Sequence, residues 1–234
     1  MLRQQRICFV GFRAIQLCCS VALTSHRSAI YYSCLCSRES NQRCYVVHLT
    51  NHLTLEDNVA YDAVGHCYFI EDGAEVENTF TRNLGSGIHI MPQDRVDQLE
   101  ASSGREESDG APQGFNGASV FWISNPQNHF VGNVAAGGDK NCFWFETRDQ
   151  RVSMSLGTFK DNEAHGCKAM AFSVYAPGWR PNEVALIDNI KVYRNQADGA
   201  FLHVTKNLYF QGGEYLFCFS CTSSRLVARA KRNP

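Results

Sequence analysis

The chain has 234 residues, 44% hydrophobic and 12% aromatic, enough to bury the core of roughly one domain, and that composition excludes disorder throughout. Lys and Arg total 22 against 23 Asp and Glu, a formal net charge of -1, so the global basic field of a sequence-independent nucleic-acid binder is missing. Apolar residues nowhere run uninterrupted for about 18 positions, and no membrane span is predicted.

From the amino terminus, residues 1–43 read as a poorly defined, Cys-rich segment. Six of the 11 cysteines fall in the first 44 residues: Cys8, Cys18, Cys19, Cys34, Cys36 and Cys44. Arg3 and Arg6 precede an apolar run from Ile7 to Phe12, but Arg13 and Gln16 divide what would be the apolar centre of a secretory signal. Four-ligand zinc sites generally use two tight cysteine pairs, and only Cys34-x-Cys36 and Cys218-x-x-Cys221 offer them. Free or partly disulfide-bonded thiols are the expectation, with the pairing open, and neither a metal nor a cofactor is predicted.

Between residues 44 and 217 one pattern recurs. The segments LEDN, FTRN, FVGN, FKDN and VYRN end at Asn58, Asn83, Asn133, Asn162 and Asn195. Three residues before each Asn stands an apolar side chain: Leu55, Phe80, Phe130, Phe159 and Val192. Two residues after it stands a small one: Ala60, Gly85, Ala135, Ala164 and Ala197. Short β-rich runs separated by Asn and Gly turns predict an all-β, right-handed parallel β-helix, a pectin-lyase-like solenoid of about five to six coils. The expected physics is an Asn ladder at a sharp turn, each amide bonding its counterparts one coil above and below while tolerating left-handed backbone. His48 to Leu55 also aligns with His203 to Phe210, linking the two ends of the array.

Residues 92–118 break the pattern with Asp94, Asp97, Glu100, Glu106, Glu107 and Asp109 and few apolar side chains, as expected of a polar excursion from one coil. Residues 218–234 form a basic tail with Arg225, Arg229, Lys231 and Arg232. Acidic turns at Asp139 and Asp188 match no calcium-loop spacing.

The segment NVAYDAVGHCYFIEDGAEVENTFTRNLG, residues 58–85, resembles the β-helix region of the family that holds fibrocystin, fibrocystin-L, the cell-migration-inducing and hyaluronan-binding protein and the cell-surface hyaluronidase. FWISNPQNHFVGNVAAG, residues 121–137, and FKDNEAH, residues 159–165, extend the resemblance, which covers about residues 44–213. It implies a piece of a larger extracellular or cell-surface protein in which such a β-helix follows a G8 domain; none is recognisable here. The implied function is a module binding glycans such as hyaluronan, or proteins; the alternative is a glycosidase depolymerising hyaluronan.

Glycoside cleavage needs two carboxyl groups. Glu71 and Asp72 are sequence neighbours, and on a strand they would point to opposite faces unless a turn reorients them. Glu71 lies thirteen residues after Asn58 and Glu146 thirteen after Asn133, which places both on one line along the solenoid. Two rungs of about 4.8 Å would separate them by roughly 10 Å. The same register sets Cys67 and Cys142 too far apart to pair. His66 is the candidate acid or base beside these carboxylates. An EDG turn is also an ordinary structural feature, with Asp72 bonding backbone amides and Gly73 supplying positive φ. For sugar binding, Trp122 and Trp144 are candidate stacking surfaces and Arg148 a candidate polar contact.

Overall fold

The structure, a computed structural model, describes residues 14–17, 30–40, 43–90, 118–147, 149–175 and 177–216. Most of the polar excursion, the basic tail, Cys218, Cys221 and Arg148 lie outside these residues. The described chain winds as a parallel β-helix with three sheets of eight, six and seven strands. Its described residues include no α-helix, and one short 3-10 turn spans Asp149–Ser153.

A representative coil runs from Leu53–Glu56 in the seven-stranded sheet, through a two-residue turn, to Val59–Val64 in the eight-stranded sheet and Tyr68–Ile70 in the six-stranded sheet. Each strand pairs in parallel with its counterpart one coil away; the exception is Ala14–Leu17, antiparallel to Leu35–Arg38. Alternation along the strands sends one set of side chains inward. Tyr45, Tyr68, Phe121 and Phe143 form a stacked interior column with ring centroids 4.9, 4.6 and 4.8 Å apart. Leu55, Phe80, Phe130 and Phe159 occupy one register in the seven-stranded sheet, as their shared place before the Asn predicts. Leu55 and Phe210 share that register through Ile187, in agreement with the match between the two ends of the array.

The Asn ladder forms at the turn between the seven- and eight-stranded sheets. Asn58 Nδ2 donates to Asn83 Oδ1, Asn83 Nδ2 to Asn133 Oδ1 and Asn133 Nδ2 to Asn162 Oδ1, at 2.9, 2.9 and 3.0 Å. The left-handed residue is not the Asn but the one before it: Asp57, Arg82, Gly132 and Asp161 have φ of 54°, 52°, 66° and 55°. Bending the backbone at that residue leaves the buried Asn free to bond along the stack.

Two sequence expectations change. Asn195 is not the fifth rung, because Lys191 pairs with Glu163 and puts Ile190 beside Asn162, while Val192 falls opposite Ala164. Asn195 instead serves another turn, accepting from Cys167 N at 3.0 Å. The solenoid also begins before residue 44, since Ile30–Ser33 pairs with Leu53–Glu56 and Leu35–Arg38 with Val59–Val64. Leu35 holds the Asn position in that coil and donates its N–H to Asn58 Oδ1, so the motif is absent where the fold is present.

A second ladder runs along the opposite end of the seven-stranded sheet. Asn78 Nδ2 donates to Asn128 Oδ1 at 3.0 Å, and Leu53 N donates to Asn78 Oδ1. It stops where Gly157 follows, because a side chain there would run into the Asn128 carbonyl. Cys44 bonds to Cys67 and Cys142 to Cys167, each across adjacent coils, so Cys67 and Cys142 do not pair with each other. Cys34 and Cys36 are free.

Candidate functional site

Strands Tyr45–Val47 and Tyr68–Ile70 lie side by side in the six-stranded sheet, with Val47 opposite Ile70. The residues that follow them, His48 and Glu71, therefore leave the sheet at the same edge. Glu71, Asp72 and Gly73 are outside the strand, in the bend that leads to Asn78. That bend removes the strand alternation that would have separated the two carboxylates. Glu71 Oε2 lies 3.1 Å and Asp72 Oδ2 3.2 Å from the same atom, His48 Nδ1. The two carboxylate oxygens are consequently no more than about 6.3 Å apart, the sum of those two distances, so both carboxyl groups face one imidazole nitrogen.

Glu75 completes the cluster from the inside. It is fully buried, and its Oε1 accepts from Leu49 N at 3.0 Å and from Asp72 N at 3.4 Å. The bend is fixed further by Gly73, whose φ is 74° and whose missing Cβ makes room for the Arg151 guanidinium. Arg151 Nη1 donates to the Asp72 carbonyl at 2.8 Å. Burial pushes the Glu71 carboxyl above the usual carboxylate range; Asp72 and Glu75 add to the rise, and His48 and Arg43 oppose it.

The other candidate residues are placed differently. Fully buried, His66 has Nδ1 2.7 Å from Ser119 Oγ, and Ser119 N donates to the same nitrogen at 3.2 Å. Its ring packs 4.1 Å from Trp122, and burial holds its pKa well below the ordinary histidine range, with Arg43 acting in the same direction. His48, not His66, is thus the imidazole that meets Glu71 and Asp72. Glu146 follows Phe145 as Glu71 follows Ile70, one coil intervening, which agrees with the expected line. It is 2% exposed and accepts from the Trp144 indole N–H at 2.9 Å, and the group that converges within 4.8 Å comprises His48, Asp72 and Glu75.

Trp122 and Trp144 belong to a second apolar row with Val46, Phe69 and Tyr175, on the face of the six-stranded sheet opposite the main core. Their rings are 5.0 Å apart and each residue is 8% exposed, so they pack on one another and present little free face to a ligand. Asp139 and Asp188 are engaged with Lys168 and Lys160, at 2.8 and 3.5 Å.

His48 and Glu75 were missed by motif reasoning. A usable signal existed: Cys44-Tyr45-Val46-Val47-His48 repeats as Cys67-Tyr68-Phe69-Ile70-Glu71, which aligns His48 with Glu71 and also pairs the two cysteines.

The sequence profile of the CEMIP beta-helix matches residues 17–175, a stretch that contains the entire cluster. The chain is 34% identical over 195 residues to the cell surface hyaluronidase of Danio rerio, covering 70% of this chain and 14% of that protein. It is 30% identical over 210 residues to the cell migration-inducing and hyaluronan-binding protein of Homo sapiens, covering 68% of this chain and 15% of that one. Communication mutant protein F of Dictyostelium discoideum is 43% identical over 100 residues, covering 42% of this chain and 9% of its own length. The chain therefore spans about a seventh or less of these relatives. No solved structure matches. With the profile covering well over half of its length, and the solenoid architecture in place, the chain belongs to the CEMIP beta-helix family.

Proposed function

We propose that this chain is a β-helix module of an extracellular or cell-surface protein and that it binds a glycan of the hyaluronan class through the surface around His48, Glu71 and Asp72. The observation that carries this reading is that relatives named for hyaluronan binding and hyaluronidase activity align over about two thirds of the chain, while the matched profile spans every residue of the cluster. Two disulfides are in keeping with an oxidising compartment outside the cytosol. No helix among the described residues is long and apolar enough to cross a membrane.

The cluster suits the task because its groups are partly open. The side chains of His48, Glu71 and Asp72 are 33%, 25% and 43% exposed, at the end of the six-stranded sheet where hydroxyl groups of a sugar can meet several acceptors together. Fluorescence anisotropy of labelled hyaluronan oligosaccharides tests the assignment. The double variant His48→Ala, Asp72→Ala is expected to weaken binding at least tenfold while retaining its β-type circular dichroism. Unchanged affinity would remove these residues from the binding surface.

A second reading, depolymerisation of hyaluronan, rests on the convergence of Glu71 and Asp72 upon one imidazole nitrogen. It requires progressive shortening of the polymer that is lost in Glu71→Gln. Binding without shortening leaves the first reading standing and discards the second.

A further inference from the structure

We infer that His48, Asp72 and Glu75, with Glu71 at their side, form a binding site for a divalent cation of the zinc or manganese class. One ligand atom from each of His48, Asp72 and Glu75 lies within 4.8 Å of the others. Clustering alone would not carry the inference, because acidic side chains often gather in turns. Two buried atoms in this cluster carry it.

The first is Glu75 Oε2. Glu75 is fully buried, its Oε1 is bonded by two backbone amides, and its Oε2 accepts no hydrogen bond at all. A buried carboxylate oxygen without a donor is costly, by about 1–3 kcal/mol or more, unless a cation satisfies it. The second is His48 Nδ1, a buried atom that stands 3.1 and 3.2 Å from two carboxylate oxygens and yet makes a hydrogen bond to neither. Such distances without hydrogen-bond direction are those between two ligands of one ion, about 3.4 Å for tetrahedral zinc. All three ligand atoms lie within 4.8 Å of one another, and the 43% exposed Asp72 side chain is the most accessible of the three.

The ligand set selects the ion. Imidazole nitrogen beside carboxylate oxygens suits zinc or manganese, whereas calcium and magnesium prefer oxygen alone. Three carboxylates face two guanidinium groups, Arg151, which reaches the bend through the Asp72 carbonyl, and Arg43, whose charge acts on Glu71, which leaves the cluster net negative by one. The rigid part of the site is Glu75, held by the amides of Leu49 and Asp72; the adjustable part is Asp72 itself.

This inference is independent of the glycan reading, and its test contains no polysaccharide. The full chain, stripped with chelator and dialysed, is titrated calorimetrically with Zn²⁺ and, separately, with Ca²⁺; Co²⁺ serves as an absorbance probe. We expect one equivalent of Zn²⁺ to bind, a visible Co²⁺ spectrum without thiolate charge-transfer absorption, and at least a tenfold loss of affinity in both His48→Ala and Glu75→Gln. Glu75→Gln keeps the side-chain oxygen that accepts from Leu49 and Asp72, so its fold is expected to persist, and unfolding midpoints measured without metal verify this. Absence of saturable Zn²⁺ binding, binding unchanged in both variants, a thiolate-to-cobalt band, or a response to Ca²⁺ alone would each overturn the assignment.

Discussion

Asn83 makes four side-chain hydrogen bonds inside the solenoid. Its Oδ1 accepts from both nitrogens of Asn58, and its Nδ2 donates to Leu55 O and Asn133 Oδ1. Asn83→Ala strands these partners in a fully buried turn and is expected to destabilise the fold by about 3 kcal/mol or more, read from denaturant unfolding midpoints. A loss below about 1 kcal/mol would mean the ladder is decorative. His66 makes a second residue-scale prediction. Its folded-state pKa is depressed by burial, so below about pH 6.5 the unfolded chain binds more protons than the folded one. Stability contributed by neutral His66 is therefore present above that pH and falls on acidification, by up to about 1.4 kcal/mol per pH unit. His66→Asn keeps an acceptor for the Ser119 amide and cannot charge, so its stability should change less than the parent's between pH 6.5 and 5. An identical pH dependence in the two proteins would show that His66 is not the group that titrates.

At the scale of strands and turns, the two disulfides tie adjacent coils with sequence separations of 23 and 25 residues. Replacing Cys142 and Cys167 by Ser, or Cys44 and Cys67 by Ser, should each cost about 3 kcal/mol, and reductant should reproduce the loss in the parent protein but not in the fourfold variant. The Asn frame was legible from sequence at Asn58, Asn83, Asn133 and Asn162 because each of these buried amides bonds its counterpart at the same place in the next coil. It misled at Asn195, where the motif persists but the chain register has moved to Ile190. The ladder of Asn78 and Asn128 was also readable, since each Asn lies five residues before a rung of the first ladder, as N-x-F-x-x-N. The site was half legible: Glu71 and Asp72 stand in a recognisable turn. His48 and Glu75 depend on which residues share a rung and on where the bend folds back, and a single motif does not encode either.

The whole molecule is a stack in which each coil is covered by its neighbours, so stability is spread along the axis as nearest-neighbour contacts. Interior aromatic columns are continuous through the middle coils, whereas Leu202 and Tyr215, in the last described strands of their sheets and opposite the buried Val174 and Val192, remain exposed. The His48 cluster sits on the flank of this stack, where two adjacent strands of the six-stranded sheet end. In the proposed binding mode the sugar hydroxyls meet the acceptors of the cluster while the carboxylates of hyaluronan lie farther off, and a cation bound among the three carboxylates would reduce the residual repulsion between them. If both readings hold, adding Zn²⁺ should raise hyaluronan affinity in the parent chain and leave Glu75→Gln unaffected. The most direct measurement is size-exclusion chromatography of fluorescent, size-defined hyaluronan incubated with the folded chain. We predict an earlier-eluting complex from which polymer of unchanged length is recovered after protein removal; polymer that elutes as it does alone, at protein concentrations well above those of the sugar, would contradict the account.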